Sequence, residues 1–115
     1  MLNALGTVFI SEQNFLEAQQ AFDQATLVFR SLNKPLCLAQ ALHNLGIALV
    51  EEHRYSRAAQ ALAESVRIRQ GRDLPAASTL LILGIAQAKA GEYSEAAHAL
   101  EEAFAHGQVL ALTEL

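Results

Sequence analysis

Four histidines, one cysteine and a run of arginines are the residues whose chemistry could carry a function. His98 and His106 stand eight apart with Glu101 and Glu102 between them, so one helix face could hold all four. Helical metal pairs need tighter spacing, such as two histidines at i and i+4, and the chain has no HExxH and no cysteine pair. These side chains read as solvated surface, and neither a metal nor a cofactor is expected. His53 falls in the polar stretch EEHR (51–54), an inter-helix turn. Cys37 lies at the start of a helix, where a thiol pKa can fall. No histidine or asparagine partner is identifiable from spacing, so it reads as a small apolar filler. The glycines are dispersed singly, which rules out a phosphate-cradling loop, and no serine-nucleophile motif occurs. The expectation is a protein that is not an enzyme.

The arginines offer a sharper alternative. NLGIALVEEHRYSRAAQALAES (44–65) can be read as a helix-turn-helix, with Arg54, Arg57, Arg67, Arg69 and Arg72 placed to neutralise phosphates. A second copy of the pattern argues against this. It keeps the spacing over 91–104 but carries Glu92, Glu95, Glu101 and Glu102 instead. A pattern that survives charge reversal serves packing, and the arginines are then a solvated outer face. The formal net charge of −4 agrees, since nucleic-acid modules are usually basic. No nucleic-acid partner is expected.

These residues need a scaffold. The 115 residues allow one domain, 1–115, and 52% of them are hydrophobic although only 6% are aromatic and tryptophan is absent. Alanine and leucine supply most of that apolar content, which suits helix packed closely on helix. The single cysteine cannot form an internal disulfide. With no apolar run of membrane-spanning length and no basic leader, the expectation is a soluble, cytoplasmic protein with no membrane partner.

One sentence is written three times. QNFLEAQQAF (13–22), HRYSRAAQAL (53–62) and GEYSEAAHAL (91–100) recur at intervals of 40 and 38 residues. Upstream of each lies LNALGTVF (2–9), LHNLGIAL (42–49) or LLILGIAQ (80–87). Gly6, Gly46 and Gly84 are in register, and Ala18, Ala58 and Ala96 follow each by 12 residues. Leu42, Leu45, Gly46 and Leu49 occupy one face of a first helix; Ala58, Ala61, Leu62, Ser65 and Val66 occupy one face of a second. Short breaks make the two antiparallel. A mid-helix glycine costs about 1 kcal/mol against alanine. Three at one repeat position predict close approach of a neighbouring backbone. Asn14 with Glu17 forms a capping-box pair, and Asp73 is placed to cap a helix begun by Pro75.

The spacing resembles the tetratricopeptide repeat. The matching residues are Leu2, Leu5, Gly6, Phe9, Ala18, Phe22 and Ala25; then Leu42, Leu45, Gly46, Leu49, Ala58 and Leu62; then Leu80, Leu83, Gly84, Ala96, Leu100 and Ala103. Leucine replaces the consensus tryptophan, Gln87 the expected aromatic and Ser65 the expected alanine. The resemblance implies an all-α, right-handed solenoid of antiparallel helix pairs in about three repeats, 1–34, 35–74 and 75–108. The intervals exceed the usual 34 residues, which suggests second helices about a turn longer. Residues 109–115, beyond Gly107, read as the start of a further helix or a partial cap. Ends without a polar cap suggest a fragment of a longer array, or pairing with another copy.

In the resembling family, first helices line a concave groove that binds peptides or partner helices. By repeat position that groove comprises Asn3, Thr7 and Ser11; then Gln40, His43, Asn44, Ile47 and Glu51; then Ser78, Leu81, Ile82, Ile85 and Lys89. Leu81, Ile82 and Ile85 lie off the core stripe, and exposed apolar patches mark contacts. The family's carboxylate clamp is kept only at Asn44, since Ser78 and Ile82 stand where basic residues are needed. The reading is a non-catalytic protein- or peptide-binding module. Its alternative is a sensor or oligomerisation segment of a larger bacterial regulator, associating through its ends.

Overall fold

The computed structural model describes the backbone of residues 15–114, and side chains within 17–105. Five helices follow one another in that span: α1 (Phe15–Ser31), α2 (Pro35–Glu51), α3 (Tyr55–Gly71), α4 (Ala77–Lys89) and α5 (Tyr93–Glu114). No strand occurs among the described residues. Each helix packs on its neighbours in sequence, and the first helices α2 and α4 also touch. The second helices α1, α3 and α5 do not pack directly on one another. This is the expected all-α stack of antiparallel pairs.

The turns explain the abrupt reversals. Asn33, His53, Asp73 and Gly91 each adopt positive φ. The residue after each donates its backbone N–H five residues back: Lys34 to Phe29, Arg54 to Leu49, Leu74 to Arg69 and Glu92 to Gln87. The positive-φ residue itself donates three residues back, which completes a Schellman motif at each helix end. Asn, Asp and His are the non-glycine residues most tolerant of this conformation. Asp73 is thereby spent on ending α3. Contrary to expectation it caps nothing: α4 begins at Ala77 and has no side-chain cap, and Pro75 lies outside the helix. Pro35, by contrast, does open α2. The Asn14 cap lies outside the described residues.

The repeat glycines are tight for a different reason than expected. A β-carbon on Gly46 would stand 2.5 Å from Leu62 Cδ2, and one on Gly84 would stand 2.6 Å from Leu100 Cγ. The partner is mainly a leucine side chain of the second helix, seated in the notch the glycine leaves. At Gly84 backbone comes near as well, with the Ala96 carbonyl oxygen at 3.3 Å. Ser65, the departure from alanine, is fully buried and donates to the Ala39 carbonyl at 2.8 Å, so its hydroxyl is satisfied across α2 and α3.

Two length expectations change. The extra residues are not confined to second helices, since α2 and α3 are both 17 residues long. Helix α5 runs unbroken for 22 residues to Glu114, with neither a stop at Gly107 nor a separate helix over 109–114. A lone glycine weakens a helix by about 1 kcal/mol without ending it.

Candidate functional site

Of the predicted groove residues, Gln40, His43, Asn44, Ile47 and Glu51 lie on α2, and Ser78, Leu81, Ile82, Ile85 and Lys89 on α4. Gln40 Nε2 donates to Asn44 Oδ1 at 3.2 Å, while Arg69 donates to Gln40 Oε1 at 3.0 Å. Arg69 of α3 thus joins the Gln40–Asn44 pair of α2 in one hydrogen-bonded chain. His43 reaches α4, its Nδ1 lying 2.9 Å from Thr79 Oγ1. Burial, reinforced by the nearby Arg69 charge, pushes the His43 pKa below its usual value. His43 therefore serves the joint between the two repeats rather than an open surface. Further along, Ile47 is half-buried, Ile85 is 39% exposed, and Glu51 and Lys89 are exposed. The Lys89 ammonium lies 5.7 Å from the centroid of the Tyr55 ring, over its face. Ile82 is half-buried, like Ile47, and packs against the core. Asn3 and Thr7 lie outside the described residues.

Ser78 and Leu81 turn elsewhere. With Ala77, Leu100, Ala103 and Phe104 they line a cleft of about 430 Å³ between α4 and α5. The register gives this cleft a meaning. Leu100 and Phe104 are the counterparts of Leu62 and Val66, and Leu81 is the counterpart of His43. In the second repeat His43 bonds Thr79 of α4, and α3 packs against α4. In the third, no described helix covers Leu81, Leu100 and Phe104, and Phe104 is 67% exposed where Val66 is 7%. Leu100 and Phe104 occupy core positions of the repeat, so spacing alone does not mark them as surface residues. The signal lies in the register, since Leu62 and Val66 are buried one repeat earlier and Leu100 and Phe104 are not.

The other candidates resolve more simply. His98 Nε2 is 3.3 Å from Glu102 Oε1, an i, i+4 pair on α5. Among the described residues no three His, Cys, Asp or Glu side chains gather as metal ligands. Cys37 is exposed on the first turn of α2, so it is not a core filler. Nor are the arginines merely solvated. Arg57 pairs with Asp23 at 3.1 Å, Arg54 with Glu52 at 3.6 Å, and Arg69 also donates to Ser65 Oγ at 3.4 Å. Asp23 lies on the preceding second helix, a partner that local sequence does not reveal. No helix among the described residues is long and apolar enough to cross a membrane.

Antiparallel helix pairs stacked in one direction, joined by glycine–leucine notches, define a helical-repeat scaffold. A family model of the tetratricopeptide repeat matches residues 1–71, and the chain belongs to that family. Such repeats are generally protein–protein interaction modules and typically non-catalytic. Among solved structures, the tetratricopeptide domain of Arabidopsis FLU is similar, with a TM-score of 0.87, 20% identity, and coverage of 94% of this chain and 92% of that one. BtubC (BKLC) from P. vanneervenii superposes with a TM-score of 0.84 at 21% identity, over 96% of this chain and 46% of that one. Likeness at this identity speaks for the fold alone. No curated protein matches the sequence.

Proposed function

We propose that the chain is one non-catalytic interaction domain that holds a peptide or partner helix against the face of α2 and α4. The observation carrying this reading is the half-exposed strip of Ile47 and Ile85, flanked by Gln40 and Asn44 at one end and Lys89 at the other. A mixed strip of this kind accepts apolar anchors and fixes their orientation through hydrogen bonds. The test is a displayed peptide library selected on the wild-type chain and counter-screened on Asn44→Ala/Ile85→Glu, a variant that spares the packed Ile82. Peptides retained only by wild type support the groove. Equal retention by the variant refutes it.

A second reading rests on the cleft of Leu81, Leu100 and Phe104. Its register matches the surface on which α3 receives α4, so it fits a helix of the first-helix type, supplied by further chain or by another molecule. In that reading the domain extends or associates through this face. Sedimentation of wild type against Phe104→Glu separates the readings: concentration-dependent association lost in the variant favours the cleft.

A further inference from the structure

The turns between helices fall into two sets on opposite edges of the stack. Those after α2 and α4 join a first helix to a second, and those after α1 and α3 join a second helix to the next first helix. Because successive helices are antiparallel, each set shares one edge. Both sets use the same backbone device, a positive-φ residue at Asn33, His53, Asp73 or Gly91. Their flanking residues differ. On one edge the tips read Glu52-His53-Arg54 and Ala90-Gly91-Glu92, with Glu52 and Arg54 paired at 3.6 Å. On the other they read Leu32-Asn33-Lys34 and Arg72-Asp73-Leu74. Here a leucine stands on one side of the left-handed residue and a cation on the other, in exchanged order.

This second edge is apolar and basic. Leu32 is 58% exposed and Leu36 is 51% exposed, and Val28, one helical turn before Leu32, is exposed too. Leu74 is less exposed, in keeping with the contact that the residue after a left-handed cap makes with the helix it closes. Every residue from Arg30 to Lys34 is exposed, and so are Arg72, Asp73 and Pro75. No acidic residue occurs between Asp23 and Glu51. Of the acids on α3 and the turn after it, Glu64 is bound to Arg30 at 2.7 Å, which leaves Asp73. Among the described residues neither Lys34 nor Arg72 stands in an ion pair.

We infer that this edge rests on an anionic lipid surface, with Leu32 and Leu36 entering the acyl boundary and Lys34 and Arg72 at the headgroups. The expectation of no membrane partner rests on the lack of a spanning run, which docking of this kind does not use. Lying on a bilayer needs only protruding apolar side chains backed by cations. A partner helix or peptide takes a groove, whereas these leucines stand on projecting turns. Lysine and arginine have stems long enough to hold their charge among the headgroups while the leucines go deeper. The negative potential of such a surface attracts local cations although the chain's formal net charge is −4. The opposite edge, with Glu51, Glu52, Glu92 and Glu95, is turned away by the same field, so the charge asymmetry orients the domain. None of the docking residues belongs to the α2–α4 face or the α4–α5 cleft named above, so this inference stands independently of both.

The probe is a phosphatidylcholine vesicle prepared with or without phosphatidylserine. Cys37, the chain's single cysteine, is exposed beside Leu36 and carries an environment-sensitive fluorophore. Vesicles with phosphatidylserine should pellet the chain at low salt, shift the emission to the blue and quench it when the quencher is carried on the acyl chains. A fluorophore on Glu92→Cys in a Cys37→Ser background, on the opposite edge, should stay in water. Binding should fall as salt rises. Leu32→Gln/Leu36→Gln should weaken it at least about tenfold, and Lys34→Gln about fivefold. All three side chains are exposed, so thermal melts of these variants should match wild type. No pelleting, equal binding to pure phosphatidylcholine, undiminished binding of the leucine variant, or binding without acyl-chain quenching at Cys37 would overturn the inference. Soluble polyglutamate bound with the same dependence on Leu32 and Leu36 would also overturn it, and would assign the edge to an acidic protein.

Discussion

The second and third repeats share one sequence pattern and differ in closure. In the second, Leu62 fills the notch of Gly46 under the cover of α4 and is fully buried. In the third, Leu100 fills the notch of Gly84 in the same way yet remains 36% exposed. The helix that would cover it is not among those described. On the opposite side, the gap between α1 and α3 is latched by the Asp23–Arg57 and Arg30–Glu64 pairs. The gap between α3 and α5 holds a pocket of about 440 Å³ whose lining includes Gln87, and the buried Gln87 Oε1 has no hydrogen-bond partner among the described residues. The lesson is that the recurring leucine, glycine and alanine positions build each pair. Whether a surface is core or site depends on what the neighbouring repeat supplies.

The largest test of that difference is truncation of the two leucines. Leu62→Ala should cost about 2–5 kcal/mol, as expected for a fully buried leucine whose cavity cannot collapse. Leu100→Ala should cost distinctly less, on the order of 1–2 kcal/mol, because part of its surface already faces water. Urea unfolding of both variants measures the ratio. Equal losses would mean that the third repeat's outer face is covered in solution.

Next is Gln87→Leu, which should stabilise the fold by about 1 kcal/mol. It removes a buried carbonyl that lacks a partner and adds apolar volume at a position where Leu49 already fits one repeat earlier. A raised urea midpoint with an unchanged slope would sharpen the contrast between the gaps. A lowered midpoint would mean that the Gln87 oxygen is already satisfied in solution.

Smaller still is the latch itself. A double-mutant cycle on Asp23 and Arg57 should return about 0.3–1 kcal/mol of coupling, the range for exposed pairs. Ala63 and Glu95 hold the equivalent positions one repeat later, and Ala63→Asp/Glu95→Arg should install coupling of the same size in the gap there. If the transplanted pair shows none, the openness of that gap comes from helix spacing rather than from the missing charges.

Much of this was legible from spacing. The helix pairs, the turn at His53 and the core positions from Ala58 to Val66 follow from periodicities of a few residues. Less legible were features set by partners far along the chain. Local sequence gave Arg57 no acidic partner, because Asp23 lies on another helix. The role of Asp73 depended on the backbone turn that ends α3, and a capping pattern does not report that turn. Ile82 lies off the repeat's core stripe, yet it is half-buried and packs against the core. Leu81 was placed in the groove, yet it belongs with Leu100 and Phe104, because position along a helix does not say which neighbour is absent.

The last and smallest effect is in pH, and it probes the joint between the two repeats. His43 bonds Thr79 across α2 and α4, and burial, then Arg69, hold its pKa below the usual 6.5. A histidine whose folded pKa is lowered binds fewer protons folded than unfolded between the two values. Stability must therefore rise with pH across that window. Folding should be most favoured above 6.5 and should weaken as pH falls from there toward the lowered folded value, with no further change due to His43 below it. His43→Asn, which can keep a bond to Thr79 without titrating there, should flatten the curve from pH 7 down to about pH 5. Glu64 provides the internal contrast. Its hydrogen bond to Arg30 lowers its pKa from 4.5, so its contribution is lost only in more acidic solution. Thermal melts of wild type and His43→Asn over that range read the difference. A curve that bends identically in both proteins would place the titrating group elsewhere and leave the joint between α2 and α4 insensitive to pH.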